Sequence, residues 1–229
     1  GASGDMLLGA MLHAGLDLDA LKEALGGLGV SGYELSVERQ VRHGITGIKF
    51  TVIDEGGGRP ARHLSSIRKI LEASGLPNAV TERSLAVFEA IARAEAEIHG
   101  TTVDEVHFHE IGAVDSLMDV VGFCWGLEAL VGALYASPLP LGSGTIRTEH
   151  GLLPVPAPAT LALLAARRVP TVASEARVEL VTPTGAALLA ELARFERPAI
   201  AVERVGYGFG TRELPWANVL RLWVGQAVD

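Results

Sequence analysis

Cysteine is nearly absent from this chain, because Cys124 is the only one among 229 residues. A single thiol excludes a disulfide framework and any metal site built from several thiolates. The same scarcity is typical of proteins that fold in a reducing compartment, so we expect a cytoplasmic protein. Aromatic residues are also few, at 5%, but hydrophobic residues make up 48% and charged residues 20%. That balance excludes disorder as the main state and predicts a packed core.

Positive charge and long apolar runs are scarce as well. The chain has 19 basic against 27 acidic residues, a net charge of −8, which argues against non-specific nucleic-acid binding, since such binding needs a basic surface. The longest apolar stretch, residues 120–137, contains Glu128 and three glycines and is followed by Pro138 and Pro140. A membrane span needs about 20 clean apolar residues. The stretch therefore predicts a buried helix, and we expect no membrane partner.

Apolar residues recur with both helical and strand periods along the chain. Helical spacing predicts helices at residues 5–15, 63–73, 79–99, 116–132, 159–168 and 184–195, and Gly100 is expected to end the helix at 79–99. A further helix, with Asp17 or Asp19 as its cap, should end at Gly26 and Gly27. Alternation predicts two strands between 33 and 53, and others within 134–155, 199–204 and 217–224. This mixture predicts an α/β fold, with α+β as the alternative, in which helices pack on a mixed sheet of short strands around a helical middle segment. We treat residues 1–229 as one domain.

The segment 206–210 has the sequence GYGFG, which is rich in glycine. It lacks the GxGxxG spacing of a dinucleotide fingerprint and does not lie between a strand and a helix. We expect it to form a turn.

The densest group of candidate metal ligands is the HFHE segment at residues 107–110, which Asp115 and Asp119 follow. On a strand, His107 and His109 point to the same face, where two imidazoles reach one divalent ion. Asp115 and Asp119 are four residues apart on the next helix and share a face. Such nitrogen and oxygen ligands suit Ni²⁺, Zn²⁺, Co²⁺, Mn²⁺ or Fe²⁺. The alternative is a surface strand followed by an N-capped helix.

Two small-residue segments and one basic turn are candidate anion sites. Residues 1–5 lead into a helix, where backbone N–H groups can converge on an anion, and residues 182–185 do the same further along. Asp5 can instead hold a metal or cap its helix. Arg42 and His43 place a guanidinium and an imidazole between two strands, and arginine suits phosphate or carboxylate groups. Ordinary turns, helix caps and a solvated hairpin tip are the alternatives.

Several long segments together resemble the LarC family of nickel-insertion proteins. They are GASGDM at 1–6, VHFHEIGAVDS at 106–116, YASPLPLGSG at 135–144, residues 150–160, and VTPTGAA at 181–187. The resemblance implies insertion of Ni²⁺ into pyridinium-3,5-bisthiocarboxylic acid mononucleotide, which yields the nickel-pincer cofactor of lactate racemase. In that product, two sulfurs and a pyridinium carbon hold the nickel. The resemblance also implies a metal insertase of the lyase class that depends on CTP with Mn²⁺ or Mg²⁺.

Applied to this sequence, the resemblance implies three sets of site residues. The metal ligands are His107, His109, Glu110, Asp115 and Asp5. The base that takes the ring proton as the carbon–metal bond forms is Glu110, Asp115 or His43. The mononucleotide phosphate is held by Ser3, Gly4, Arg42, Thr182 and Thr184.

The chain departs from the family pattern in three places. The region where relatives often carry a His-rich tract has one histidine, His63, within residues 55–63. The C-terminal domain that the family associates with CTP, and the usual first strand before Gly1, are expected to be absent. A chain of this extent is expected to bind metal or substrate without turning over by itself.

Partners and rival functions remain open at this stage. The small-molecule partner is the mononucleotide precursor, lactate racemase or a related enzyme is a candidate protein partner, and a homo-oligomer is compatible with the sequence. One rival function is a non-catalytic nickel metallochaperone, which needs no nucleotide. Another is a metal-dependent phosphoesterase, which rests only on the His/Asp cluster and the anion sites.

Overall fold

A computed structural model describes residues 1–55, 62–106, 108, 114–130, 132–148 and 150–228. Its helices are α1 (Gly4–His13), α2 (Leu18–Gly26), α3 (Leu64–Ala73), α4 (Asn78–His99), α5 (Val114–Leu130), α6 (Pro158–Ala166) and α7 (Pro183–Leu192). Its strands are β1 (Tyr33–Arg42), β2 (Ile45–Asp54), β3 (Leu134–Tyr135), β4 (Leu139–Leu141), β5 (Thr145–Thr148), β6 (Gly151–Pro154), β7 (Thr171–Ala173), β8 (Ala193–Arg194), β9 (Ile200–Phe209) and β10 (Val219–Ala227).

The main sheet has the strand order β1-β2-β9-β10. Two antiparallel hairpins form it, and they join through a parallel pairing of β2 with β9, in which Ile48 lies opposite Gly208. Shorter two-stranded ladders pair β3 with β8, β4 with β7 and β5 with β6. Helix α1 packs on β2 and β9, and α5 contacts α1, α2, α4, α7 and β2. The predicted mixed α/β fold is confirmed.

Local signals placed most helix and hairpin boundaries correctly. Asp17 caps α2 by accepting a hydrogen bond from the Ala20 N–H at 3.0 Å. Gly100 ends α4 in the left-handed conformation, with φ of 62°. His43 and Gly44 form the two-residue connection of β1 and β2, and both have positive φ, which matches the right-handed twist of a hairpin.

The prediction of a turn at residues 206–210 was wrong. Residues 206–209 belong to β9, and the glycines at 206 and 208 allow α1 to pack closely on this strand. A Cβ atom on Gly208 would lie 1.9 Å from the Met6 carbonyl oxygen, and one on Gly206 would lie 1.9 Å from that of Ala10. The helix backbone therefore lies directly on the strand, as only glycine permits.

The few aromatic residues are concentrated in the core. Five of the six phenylalanines are fully buried: Phe50, Phe88, Phe108, Phe123 and Phe209. All of these except Phe209 join aliphatic residues of α1, α4, α5 and α7 in one cluster. Helix α5 covers most of the apolar stretch discussed above and is largely buried. Among the described residues, no helix is both long enough and apolar enough to cross a bilayer.

Gly208→Ala should destabilise the fold because its methyl group would push α1 off the sheet. We expect the free energy of unfolding to fall by about 3 kcal/mol in urea denaturation, the upper range for overpacking. Gly26→Ala is the control, since nothing lies within 4 Å of a Cβ at that helical position. It should change stability by about 1 kcal/mol or less and in the favourable direction. Equal effects of the two substitutions would contradict the close approach.

Candidate functional site

The first turn of α1 carries a carboxylate that its neighbours hold in place. Ser3 precedes the helix in an extended conformation, and its hydroxyl donates to Asp5 Oδ1. The same oxygen accepts a hydrogen bond from the Met6 backbone N–H at 2.8 Å. Oδ1 of Asp5 is therefore occupied by local donors, and Oδ2 remains for a partner from elsewhere in the chain.

That partner is Lys49, which β2 carries to the start of α1. Its Nζ forms an ion pair with Asp5 Oδ2 and donates to Thr211 Oγ1 at 3.1 Å. The Lys49 side chain is only 10% exposed and the Asp5 side chain 22%. An ion pair this far from water depends on both partners, since loss of one leaves an uncompensated charge.

A second carboxylate, that of Asp119 on α5, lies against the same turn. A Cβ on Gly4 would stand 2.3 Å from Asp119 Oδ2, so glycine makes room for the carboxylate. The Asp5 backbone N–H hydrogen-bonds the Asp119 carboxylate. A negative group at a helix start is stabilised by the free N–H groups and the helix dipole. The N-terminus of α1 is thus filled by a carboxylate of this chain.

Burial and nearby charges act on the acidic residues of this region. Burial raises the pKa of Asp119 well above 3.8, and the carboxylates of Asp5 and Asp115 raise it further, while Lys49 opposes them. Burial also raises the pKa of Asp115, with additional repulsion from Asp54 and Asp5. We call Asp5, Asp115 and Asp119 the acidic cluster. Lys49 forms an ion pair with Asp5 and also acts on Asp119, and within the described part of the chain these three carboxyl groups outnumber that one ammonium group, so the cluster favours a cation.

The predicted histidine ligands lie outside the described residues, as does Glu110. The residue between the two histidines, Phe108, is described, and it is 2% exposed. Its ring contacts that of Phe88, and its backbone N–H donates to the Arg62 carbonyl oxygen at 3.2 Å. Within the described ranges, no three His, Cys, Asp or Glu side chains are close enough together to hold a metal ion.

The two predicted anion sites at helix starts are adjacent in the structure. The Ala2 N–H donates to the Leu180 carbonyl at 2.7 Å, and the Thr182 N–H donates to the Ala2 carbonyl at 3.1 Å. Thr182 caps α7 by accepting from the Gly185 N–H at 3.2 Å, and Thr184 is buried in its first turn. The N-termini of α1 and α7 therefore lie side by side, and the Asp119 carboxylate occupies the N-terminus of α1.

Arg42 and His43 are anchored to the connection between β9 and β10. Arg42 donates from Nη1 to the Gly210 carbonyl at 2.7 Å and lies over the Phe209 ring, 5.1 Å from its centroid. His43 Nε2 is 3.1 Å from the Leu214 carbonyl oxygen. A carbonyl only accepts, so Nε2 carries the proton in this contact. Both side chains hold the two connections together.

Sequence reasoning missed Lys49 as a site residue. A lysine on a strand usually points to solvent, and no local pattern pairs it with Asp5, which lies 44 positions earlier. It also left Thr211 unassigned, since that residue follows the segment misassigned as a turn. Asp119 was recognised only through its spacing from Asp115, and its contact with Gly4 has no signal in the sequence.

Replacing Lys49 tests the ion pair. Lys49→Met should lower the free energy of unfolding by about 3 kcal/mol, because Asp5 loses its counter-charge at a poorly hydrated position. Lys22→Met, on the exposed side of α2, should change it by about 0.5 kcal/mol or less. Urea denaturation at pH 7 measures both. If the two variants were equally stable, the ion pair would not support the fold.

Asp119 should make stability depend on pH. A carboxyl whose folded pKa is raised favours the native state below its unfolded pKa, and this contribution is lost as pH rises from about 4 through the folded value. Asp119→Asn keeps an oxygen for the Asp5 N–H and removes the titration. We expect the variant to be more stable than wild type at pH 7 and to lose less stability between pH 4 and 7.

Denaturant titrations at several pH values measure this difference. Asp104→Asn, at an exposed turn, is the control and should follow the wild-type pH profile. A wild-type profile in Asp119→Asn as well would mean that the Asp119 carboxyl is not perturbed.

Comparison with known proteins agrees with the motifs. The profile of the family described as nickel insertion protein matches residues 1–229. A relative from Thermomicrobium roseum, provisionally named a nickel insertion protein, is 57% identical over 229 residues, which cover 99% of this chain and 56% of the relative. The pyridinium-3,5-bisthiocarboxylic acid mononucleotide nickel insertion protein of Desulfitobacterium hafniense is 47% identical over 232 residues, covering 100% of this chain and 57% of that protein.

The chain thus spans little more than half the length of these relatives. No solved structure matches it significantly. Because the family profile extends over residues 1–229, the chain belongs to the nickel insertion protein family.

Proposed function

We propose that the full-length protein inserts Ni²⁺ into pyridinium-3,5-bisthiocarboxylic acid mononucleotide. The relative from Desulfitobacterium hafniense carries this activity in its name and aligns over the entire chain. The structural observation that carries the proposal is the acidic cluster at the start of α1. It gathers carboxylates beside the helix that follows the HFHE segment, and carboxylates together with imidazoles are ligands that Ni²⁺ accepts.

Nickel is the substrate metal, and we assign its capture to His107, His109, Glu110 and Asp5, with Asp115 kept as a candidate base. The support comes from the described neighbours in the sequence: Phe108, the residue between the two histidines, is buried. Four positions after Glu110, α5 begins, and Asp115 lies in its first turn. Asp5 already has Lys49 as its counter-ion, so metal binding to Asp5 would displace an ammonium group and not a proton.

Insertion requires a base, because the ring carbon exchanges its proton for nickel. Among Glu110, Asp115 and His43, we favour Asp115. Burial and nearby carboxylates raise its pKa, and a carboxylate with a raised pKa is a stronger proton acceptor. His43 is tied through Nε2 to the Leu214 carbonyl and belongs to a different connection.

The mononucleotide phosphate needs positive potential, which the start of α1 does not supply. The Asp119 carboxylate stands against Gly4 and its repulsion acts on any anion near Ser3. Of the predicted contacts, Thr182 already caps α7 and bonds Ala2, and Thr184 is buried, so the neighbourhood of Arg42 at the hairpin turn is the remaining candidate for the phosphate. Guanidinium donors are those that phosphate prefers.

The remaining features of the proposal follow from the family resemblance. They are CTP with Mn²⁺ or Mg²⁺ as a requirement of the full-length protein, classification as a lyase, a cytoplasmic location, and delivery of the product to lactate racemase or a related enzyme. A homo-oligomer is compatible with these features. The buried thiol of Cys124, whose pKa burial raises to about 12, fits a reducing compartment.

Nickel titration by calorimetry tests the metal site. We compare the full-length protein with His107→Ala/His109→Ala, and circular dichroism verifies that both fold. The variant should bind Ni²⁺ at least about tenfold more weakly, a change of about 1.4 kcal/mol. It should also form no product from the mononucleotide, with product formation followed by mass spectrometry.

A second pair of histidines provides the matched control. The ring centroids of His99 and His150 lie 4.9 Å apart on the surface. The variant His99→Ala/His150→Ala therefore removes two imidazoles from a place other than the HFHE segment. This variant should keep the nickel affinity and the activity. Loss of nickel only in the control would overturn the assignment. Nickel binding by wild type without product formation, in the presence of CTP, would favour a metallochaperone.

A further inference from the structure

A pocket of about 230 Å³ lies between the turn of β1 and β2 and the connection of β9 and β10. Its lining includes Arg42, His43, Arg212, Glu213, Trp216 and Asn218. Internal hydrogen bonds shape its walls: His43 bonds the Leu214 carbonyl at 3.1 Å, and Asn218 Nδ2 donates to the Arg212 carbonyl at 3.1 Å. The two connections are therefore joined, and the pocket is a feature of the folded chain.

The lining is basic although the chain is acidic. Two guanidinium groups and an imidazole face one carboxylate, that of Glu213, in a chain of net charge −8. Arg42 uses its donors on Gly210 and Gln40. Within the described part of the chain, the Arg212 guanidinium has no hydrogen-bond or ion-pair partner and is exposed. It therefore presents a complete set of donors to a ligand.

We propose that this pocket binds the phosphate of the mononucleotide, with Arg212 as its principal contact. The proposal rests on the proposed function for the identity of the ligand. The volume is below the 300 Å³ or so of a site that encloses a whole small molecule, so the pocket takes one end of the ligand. Arg212 supplies the bidentate charge, and Trp216, 48% exposed, provides a flat wall for the ribose.

The pocket is connected to the acidic cluster by three consecutive residues. Gly210 accepts from Arg42 in the pocket wall, Thr211 accepts from Lys49 beside Asp5, and Arg212 lines the pocket. A ligand held by its phosphate at Arg212 can therefore direct its ring toward the cluster that favours a cation. Phosphate and metal are then held at separate places, so the phosphate does not compete with the thiocarboxylate sulfurs for nickel.

The test uses the full-length protein without nickel and two probes that cannot accept the metal. Nicotinic acid mononucleotide carries a pyridinium ring, ribose and phosphate, and nicotinic acid riboside lacks only the phosphate. By calorimetry, wild type should bind the mononucleotide about tenfold or more tightly than the riboside. Arg212→Gln should remove that preference and leave riboside affinity unchanged. In nickel insertion, Arg212→Gln should raise KM for the substrate and leave kcat close to wild type.

Arg197→Gln removes the same charge from another exposed loop and should behave as wild type. Glu213→Gln should bind the mononucleotide at least as tightly as wild type. The proposal is overturned if Arg212→Gln retains the preference for phosphate, weakens both probes equally, or leaves KM unchanged while wild type inserts nickel. It is also overturned if wild type shows no preference for the phosphorylated probe. Arg212-dependent binding in a protein that never inserts nickel would support the pocket and refute the proposed function.

Discussion

The close packing of helix α1 on strand β9 determines where the residues of the candidate site lie. Glycine at 206 and 208 lets the carbonyl oxygens of Met6 and Ala10 occupy the space where side chains would stand. A helix at this distance cannot slide or tilt without a collision of backbone atoms. Its first turn is consequently held over β2, at the position where Lys49 meets Asp5. A packing constraint in the middle of the helix thus becomes a geometric constraint at its end.

The charge arrangement at that end is unfavourable for stability by itself. Asp119 is held at the helix start by an N–H donor, yet burial raises its pKa, so the protein forgoes stability at neutral pH by keeping a carboxyl group there. Lys49 offsets part of the repulsion between the carboxylates, and its ammonium group forms an ion pair with Asp5. The acidic cluster therefore keeps negative charge that is only partly compensated, which is the property that the proposed function uses to attract a cation.

Local signals predicted the helices and the first hairpin, but not the contacts that build the site. The cap at Asp17 and the stop at Gly100 are decided by neighbours in the sequence, and the prediction of both was confirmed. The segment 206–209 was misassigned because its glycines locally favour a turn. In the structure these glycines are needed for a different reason, since α1 packs against them. The contact of Lys49 with Asp5 could not be predicted either, because tertiary packing, and not spacing in the sequence, brings the two residues together. The metal-ligating roles of His107 and His109 stay predictions.

The segment from Gly210 to Arg212 connects the two halves of the proposed site. Its first residue is bound by Arg42 and its second by Lys49, so any displacement of this segment changes contacts on both sides. The strand that leads into it carries the glycines that admit α1. The same ten-residue strand therefore sets the position of the acidic cluster and of the basic pocket. In the proposed function, this separation of opposite charges near one strand would hold an anionic ligand and a cation at two different places until the ring carbon and the metal meet.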